Sequence, residues 1–216
     1  MENLKRMFDK LQSTKLAGIF GILSITFGLI GDIIALILFP GYDFLRRSVS
    51  FLCKGPGGIF FQVGTVLSGI FAFIFVLYVI RTFEGETTNT TLKKWALTFA
   101  IISCMSFINL GIFCGSNPII DIIHGVSAVV SWLSGIGYIT LFSILMLRNL
   151  KYSKISAYIG FIVSSSLSFM ILLFILYYFP GIQGVVKLLP LIEWYNTFAL
   201  IFWYLVVSTD LLIKKI

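Results

Sequence analysis

The stretch DIIHGVSAVVSWLSGIGYITLFSILML, residues 121–147, decides how this chain is read. Apart from Asp121 and His124 at its head, it is apolar or small throughout. As a helix rising about 1.5 Å per residue, it is long enough to cross a hydrocarbon core of roughly 30 Å. Asp121 and His124, the chain's single histidine, stand three apart and so share a helix face.

Outward from this stretch, the pattern repeats. Residues 16–39, 59–80, 95–113, 119–147, 155–179 and 191–213 are apolar runs, each near the roughly 20 residues that a spanning helix needs. With 58% hydrophobic and only 12% charged residues, a chain of 216 residues has too little polar surface for a water-soluble domain. Strands of alternating polarity, the other way to satisfy a backbone in lipid, are missing from the pattern. The expected fold is all-α and polytopic: one domain of six transmembrane helices over residues 16–213. The first run is too long for a signal-peptide core and no small-residue cleavage site follows it, so it reads as a retained helix. Residues 1–15 mix charges with Leu4, Met7, Phe8 and Leu11, the spacing of an amphipathic helix on the inner leaflet.

Basic residues set the expected orientation. With the N-terminus inside, the inner segments hold twelve Lys and Arg, and the outer ones hold only Arg46, Arg47, Lys54 and Lys187. This bias places both termini in the cytoplasm. The net charge of +7 then lies on the inner side, where it meets anionic lipid headgroups, and it gives no reason to invoke nucleic acid. Cys53 and Cys114 both fall on the outer side, where a disulfide can form, although spacing alone does not supply its geometry. Cys104 reads as a small packing residue.

Stripes of small residues at four-residue intervals mark most of the helices: Ser24 and Gly28 leading to Asp32, Gly64–Ser68–Ala72, Ala96–Ala100–Cys104, Ala128 with Ser131 and Gly135, and Ser156–Gly160–Ser164–Ser168. Lipid offers no hydrophobic drive between helices, so the stripes read as close-packing surfaces. Residues 40–58 form the longest outer loop, with aromatics, Arg46, Arg47 and several glycines, and are expected in the headgroup layer or folded over the bundle mouth. Asn89-Thr90-Thr91 matches a glycosylation acceptor but falls on the inner side.

Counting about 1.5 Å per residue from each inner helix end puts Asp32 roughly 24 Å up, Asn109 21, Asn196 26, Gln62 27, Glu193 30, His124 35 and Asp121 39. Most strongly polar side chains of the helices therefore fall in the outer third. Asp32 is the deepest carboxylate and the most expensive to keep there. The expectation is an outer-leaflet pocket lined by Asp32, Gln62, Asn109, Asp121, His124, Glu193 and Asn196, with Arg46 and Arg47 as phosphate contacts. The competing reading is that these groups only pair with one another.

For Asp121 with His124, a carboxylate-oriented general base is chemically sound, and a structural hydrogen-bonded pair is the simpler alternative. One histidine and scattered carboxylates make a poor metal set, and no nucleophile elbow, phosphate loop or dinucleotide fingerprint is present. No cofactor is expected.

The chain resembles the membrane proteins grouped as domain-of-unknown-function family 998 and, more distantly, the Frag/DRAM/Sfk superfamily with its lipid-remodelling factors. The likeness lies in Pro40-Gly41-Tyr42, Ser48-Val49-Ser50-Phe51-Leu52, Gly58-Ile59-Phe60-Phe61-Gln62 with Gly64, and Gly111-Ile112-Phe113 followed by His124 and Ala128. What the resemblance implies is six helices, an inner N-terminus and lipid-related work. The functional expectation is binding or sensing of a lipid or other amphiphile in the plasma membrane, the partners being membrane lipids and a second membrane protein or copy of the chain. The alternatives are an intramembrane lipid hydrolase or transferase using His124 and Asp121, a small transporter, and a structural subunit of a complex.

Overall fold

The structure, a computed structural model, describes residues 2–83, 89–149, 152–177 and 187–213. Among the described residues every regular element is helical: α1 (Glu2–Ile37), α2 (Gly58–Thr82), α3 (Thr90–Ile112), α4 (Pro118–Leu147), α5 (Lys154–Tyr177) and α6 (Leu189–Ile213), with a short 3-10 helix at Val49–Lys54. All six long helices are apolar enough to cross a membrane. The chain is an integral, multi-pass membrane protein. Its lipid-facing surface is seen in exposed side chains such as Ile33, Val63, Ile122 and Ile162, which would be an aggregation hazard in water.

The helix ends have local causes. The α3 helix begins at Thr90, ahead of the predicted residue 95, because the Asn89 side chain accepts a hydrogen bond from the Leu92 N–H at 3.0 Å. The apparent glycosylation acceptor thus works as a helix cap. Asn117 caps α4 in the same way, with Pro118 at the first helical position, where a missing N–H costs nothing. At the N-terminus, α1 is continuous from Glu2, and its span-forming part is Thr14–Ile37, so the basic start is the first part of the same helix. Residues 84–88 of the predicted inner loop and 178–179 of the fifth predicted span lie outside the described residues.

Each helix packs against the next in sequence, and α6 closes on α1, so the six form a ring. At the α1–α2 seam the backbones nearly touch: a methyl group placed on Gly31 would meet the Gly64 Cα at 2.8 Å and the Phe60 carbonyl oxygen at 2.7 Å. Only glycine allows that approach. Polar bonds tie other seams, including a reciprocal pair in which Ser103 Oγ donates to the Ser131 carbonyl at 3.0 Å and Ser131 Oγ to that of Ser103 at 3.3 Å. Large side chains fill one end of the ring: Phe75, Phe83, Phe142 and Trp203 are fully buried there.

The other end is capped by residues 38–57. Gly41, at φ +69°, turns the chain after α1. Val49, Leu52 and Cys53 then pack on Ala35, Phe61, Leu110 and Trp194. Cys53 is disulfide-bonded to Cys114, fastening the cap to the turn between α3 and α4.

Candidate functional site

The cap is held by the very polar residues expected to line a pocket. The Glu193 carboxylate accepts from the Ser50 N–H at 3.0 Å and from Ser50 Oγ at 2.5 Å, joining α6 to the cap. Gln62 donates to the Cys114 carbonyl at 2.7 Å. Asp121 is paired with Lys54, whose ammonium lies 2.8 Å from one carboxylate oxygen. The Arg47 guanidinium lies beside the stacked pair Phe39 and Phe51, 5.0 and 4.9 Å from the two ring centres. Tyr42 donates to the carbonyls of Arg47 and Ser48 and receives the Trp194 indole N–H at 3.2 Å. Burial first, then the nearby Glu193 and Asp32 carboxylates, push the Tyr42 phenol up to about 12, against the opposing effects of Trp194 and Arg47. It is therefore a neutral donor at any physiological pH.

His124 and Asp121 share a face but make no hydrogen bond to each other among the described residues. Both contacts of the His124 Nδ1 are backbone carbonyls, Leu110 at 3.0 Å and Phe113 at 3.1 Å. A carbonyl only accepts, so Nδ1 carries the proton and satisfies carbonyls left over at the end of α3. Neither the acid–base dyad nor a mutual hydrogen-bonded pair is seen in these contacts: His124 caps α3 and Asp121 pairs with Lys54. Asn109 is exposed on the bundle surface, and Arg46 is exposed with Asp43 3.6 Å away. Asn196 is buried against α5, its amide donating to the Met170 sulfur at 3.1 Å while its carbonyl oxygen finds no partner among the described residues.

Beneath the cap, inside the ring, lies a cavity of about 150 Å³ with wall residues from all six helices. Of the nine residues expected to line one pocket, Asp32 alone reaches it. Its other walls are the small-residue stripes: Ser24 and Gly28 of α1, Ser68 of α2, Ser103 and Cys104 of α3, Ser131 and Gly135 of α4. Phe107, Trp132, Tyr138 and Tyr204 add aromatic surface, with the Tyr138 and Tyr204 hydroxyls 3.2 Å apart. Along α1 the walls run from Ser24 to Asp32, about 12 Å at helical rise, with the carboxylate toward the capped end.

Sequence reading took these stripes as packing surfaces, and on many positions they are. What separates a seam from a wall is the far side. At Gly31 and Gly64 another backbone fills the space, whereas a methyl on Gly135 would find its nearest atom at 3.4 Å. No single-sequence spacing encodes that difference, so the cavity was not visible in the sequence.

Asp32 has no hydrogen-bond or ion-pair partner among the described residues. A carboxylate in a membrane interior is expensive unless something meets it, which makes Asp32 the chemically pointed feature of the cavity. Nor do the described residues include a cluster of three metal-ligating side chains. No curated protein and no solved structure matches the chain. Residues 22–210 match the family model described as "Protein of unknown function (DUF998)", and over that span this chain of six apolar helices belongs to that family.

Proposed function

We propose that the chain is a membrane binding protein that takes the polar end of a small amphiphile into the cavity at the centre of its helix ring. The observation that carries this reading is the conjunction of a partly open cavity walled by six helices and a carboxylate on its wall that has no hydrogen-bond or ion-pair partner among the described residues. Volume limits the occupant. A cavity of about 150 Å³ is the size that takes one benzene-sized group, so a headgroup or small organic molecule fits and a whole lipid does not. The amphiphile's tail would lie in the surrounding bilayer. The cap is a fixed roof in this reading, and Arg46 and Arg47 are not required as phosphate contacts.

The proposed orientation has the N-terminus inside. It is supported by the twelve-to-four bias of basic residues and by the Cys53–Cys114 disulfide at the capped end, which suits an oxidising exterior. A hydrolase or transferase built on His124 draws no support from the geometry, because its Nδ1 is engaged by carbonyls and it stands off the cavity wall.

Native mass spectrometry of the chain released from mild detergent tests the binding reading. The wild type should carry a small amphiphile that Gly135→Leu, whose side chain projects into the cavity, fails to retain. Identical adducts on both proteins, or none on the wild type, would overturn it.

A further inference from the structure

Resting on that binding reading, the geometry points to the class of the occupant: the cavity binds a protonated amine, with Asp32 as its counter-ion. The argument is a count of hydrogen-bond protons. Ser24 Oγ donates to the Ser68 carbonyl at 2.9 Å, so the 3.2 Å contact between the two hydroxyls leaves Ser68 donating to Ser24. Ser103 and Ser131 each donate to the other's carbonyl, and Thr197 donates to that of Glu193 at 3.0 Å. All five of these wall hydroxyls have committed their single proton to the protein, and each keeps lone pairs. Of the Tyr138–Tyr204 pair, one phenol proton is used between them and one remains. An ionised Asp32 only accepts. The described wall residues include no lysine, arginine or histidine.

The Trp132 indole N–H, without a partner among the described residues, the Cys104 thiol and that phenol proton are the donors left on the wall, so the surface offers more acceptors than donors, and Asp32 is negative when a cation stands beside it. A primary ammonium, with three donors and a positive charge, complements this surface. A carboxylate or phosphate would enter beside the Asp32 carboxylate with no cationic side chain among the described wall residues to neutralise it. A quaternary ammonium would bring charge but leave the acceptors unused. An intramembrane carboxylate serving as the counter-ion of a bound cation is a recognised use of so costly a group.

The test uses three probes of one shape on the full chain in nonionic detergent: benzylamine, benzyl alcohol and benzoate, read by calorimetric titration and thermal shift. Benzylamine should bind wild type at least about tenfold more tightly than benzyl alcohol, the size expected of a charge-assisted hydrogen bond. Benzoate should not bind, and Asp32→Asn should bring benzylamine down to the level of the alcohol. Equal affinity for alcohol and amine in the wild type, a comparison that needs no variant to fold, would overturn the assignment, as would an Asp32→Asn protein with unchanged benzylamine affinity. If benzyl alcohol binds and Gly135→Leu abolishes it while the amine has no advantage, the charge assignment fails and the cavity reading stands. If none of the three binds, both fail. Repeating the titration in nanodiscs with and without ethanolamine-headed lipid separates the sources of the amine. Weakening by that lipid identifies a headgroup, and an unchanged affinity identifies a free amine.

Discussion

Asp121 and His124 stand three residues apart on one face of α4, yet each is committed to a different element: Asp121 to Lys54 of the cap, and His124 to the end of α3. Helical spacing made their shared face readable, but the partners come from residues far away in sequence, which spacing cannot reveal. Removing the imidazole leaves two carbonyls short of a donor, so His124→Ala should cost about 1–3 kcal/mol, read as a fall in Tm. The same variant should leave ligand binding in the remaining folded protein unchanged. Tyr42 gives a second test at this scale. Its phenol is pushed up to about 12, above its unfolded value near 10, so its contribution to stability is complete below pH 10 and is lost as pH rises through 12. In an alkaline titration of phenolate absorbance, the step missing from Tyr42→Phe should lie near 12. A missing step near 10 would contradict the buried, bonded phenol.

The elements themselves were largely legible, because a run of some 20 apolar residues has few fates besides a membrane helix. Asn89 and Asn117 set two of the boundaries: a cap six residues upstream of Trp95, where the apolar run begins, lengthens α3, while Pro118 marks the start of α4 openly. The packing of those elements was less legible, and two substitutions expose why. Gly31→Ala places a methyl 2.8 Å from the Gly64 Cα, so α1 and α2 must part, and a loss of about 1–3 kcal/mol is expected. Gly135→Ala meets nothing closer than 3.4 Å and should shift stability by no more than about 0.5 kcal/mol. Thermal unfolding of the pair in one detergent checks both. The cap behaves as an element too: the disulfide closes a sequence separation of 61, for which chain entropy sets a contribution of about 4 kcal/mol. Helices already held in a bilayer have less freedom to lose, so Cys53→Ser with Cys114→Ser should lower Tm by less than that figure implies while leaving the protein folded.

Across the whole molecule, helical depth places the polar residues at one end of the bundle and does not say which of them share a space. Glu193, Gln62, Asp121 and His124 do gather near one end of the bundle, but Glu193 and Asp121 spend their bonds on the cap, and Gln62 and His124 on the end of α3 and the turn after it. Asp32, the deepest carboxylate of the set, is the one on the cavity wall. The ring closes from α6 back to α1, and large aromatics plug the end away from the cap, so a continuous polar path through the bundle has no support in the packing. Cys104 offers the most direct check on the central claim, since it lines the cavity and is the one cysteine outside the disulfide. The measurement is the rate at which a small neutral methanethiosulfonate adds to Cys104 in the native chain, followed by intact mass. The account predicts a single adduct, formed more slowly in Gly135→Leu and slowed in the wild type by benzylamine. An unreactive native thiol that is fully modified after unfolding, or a rate indifferent to both the filling residue and the amine, would contradict an accessible binding cavity at the centre of the ring.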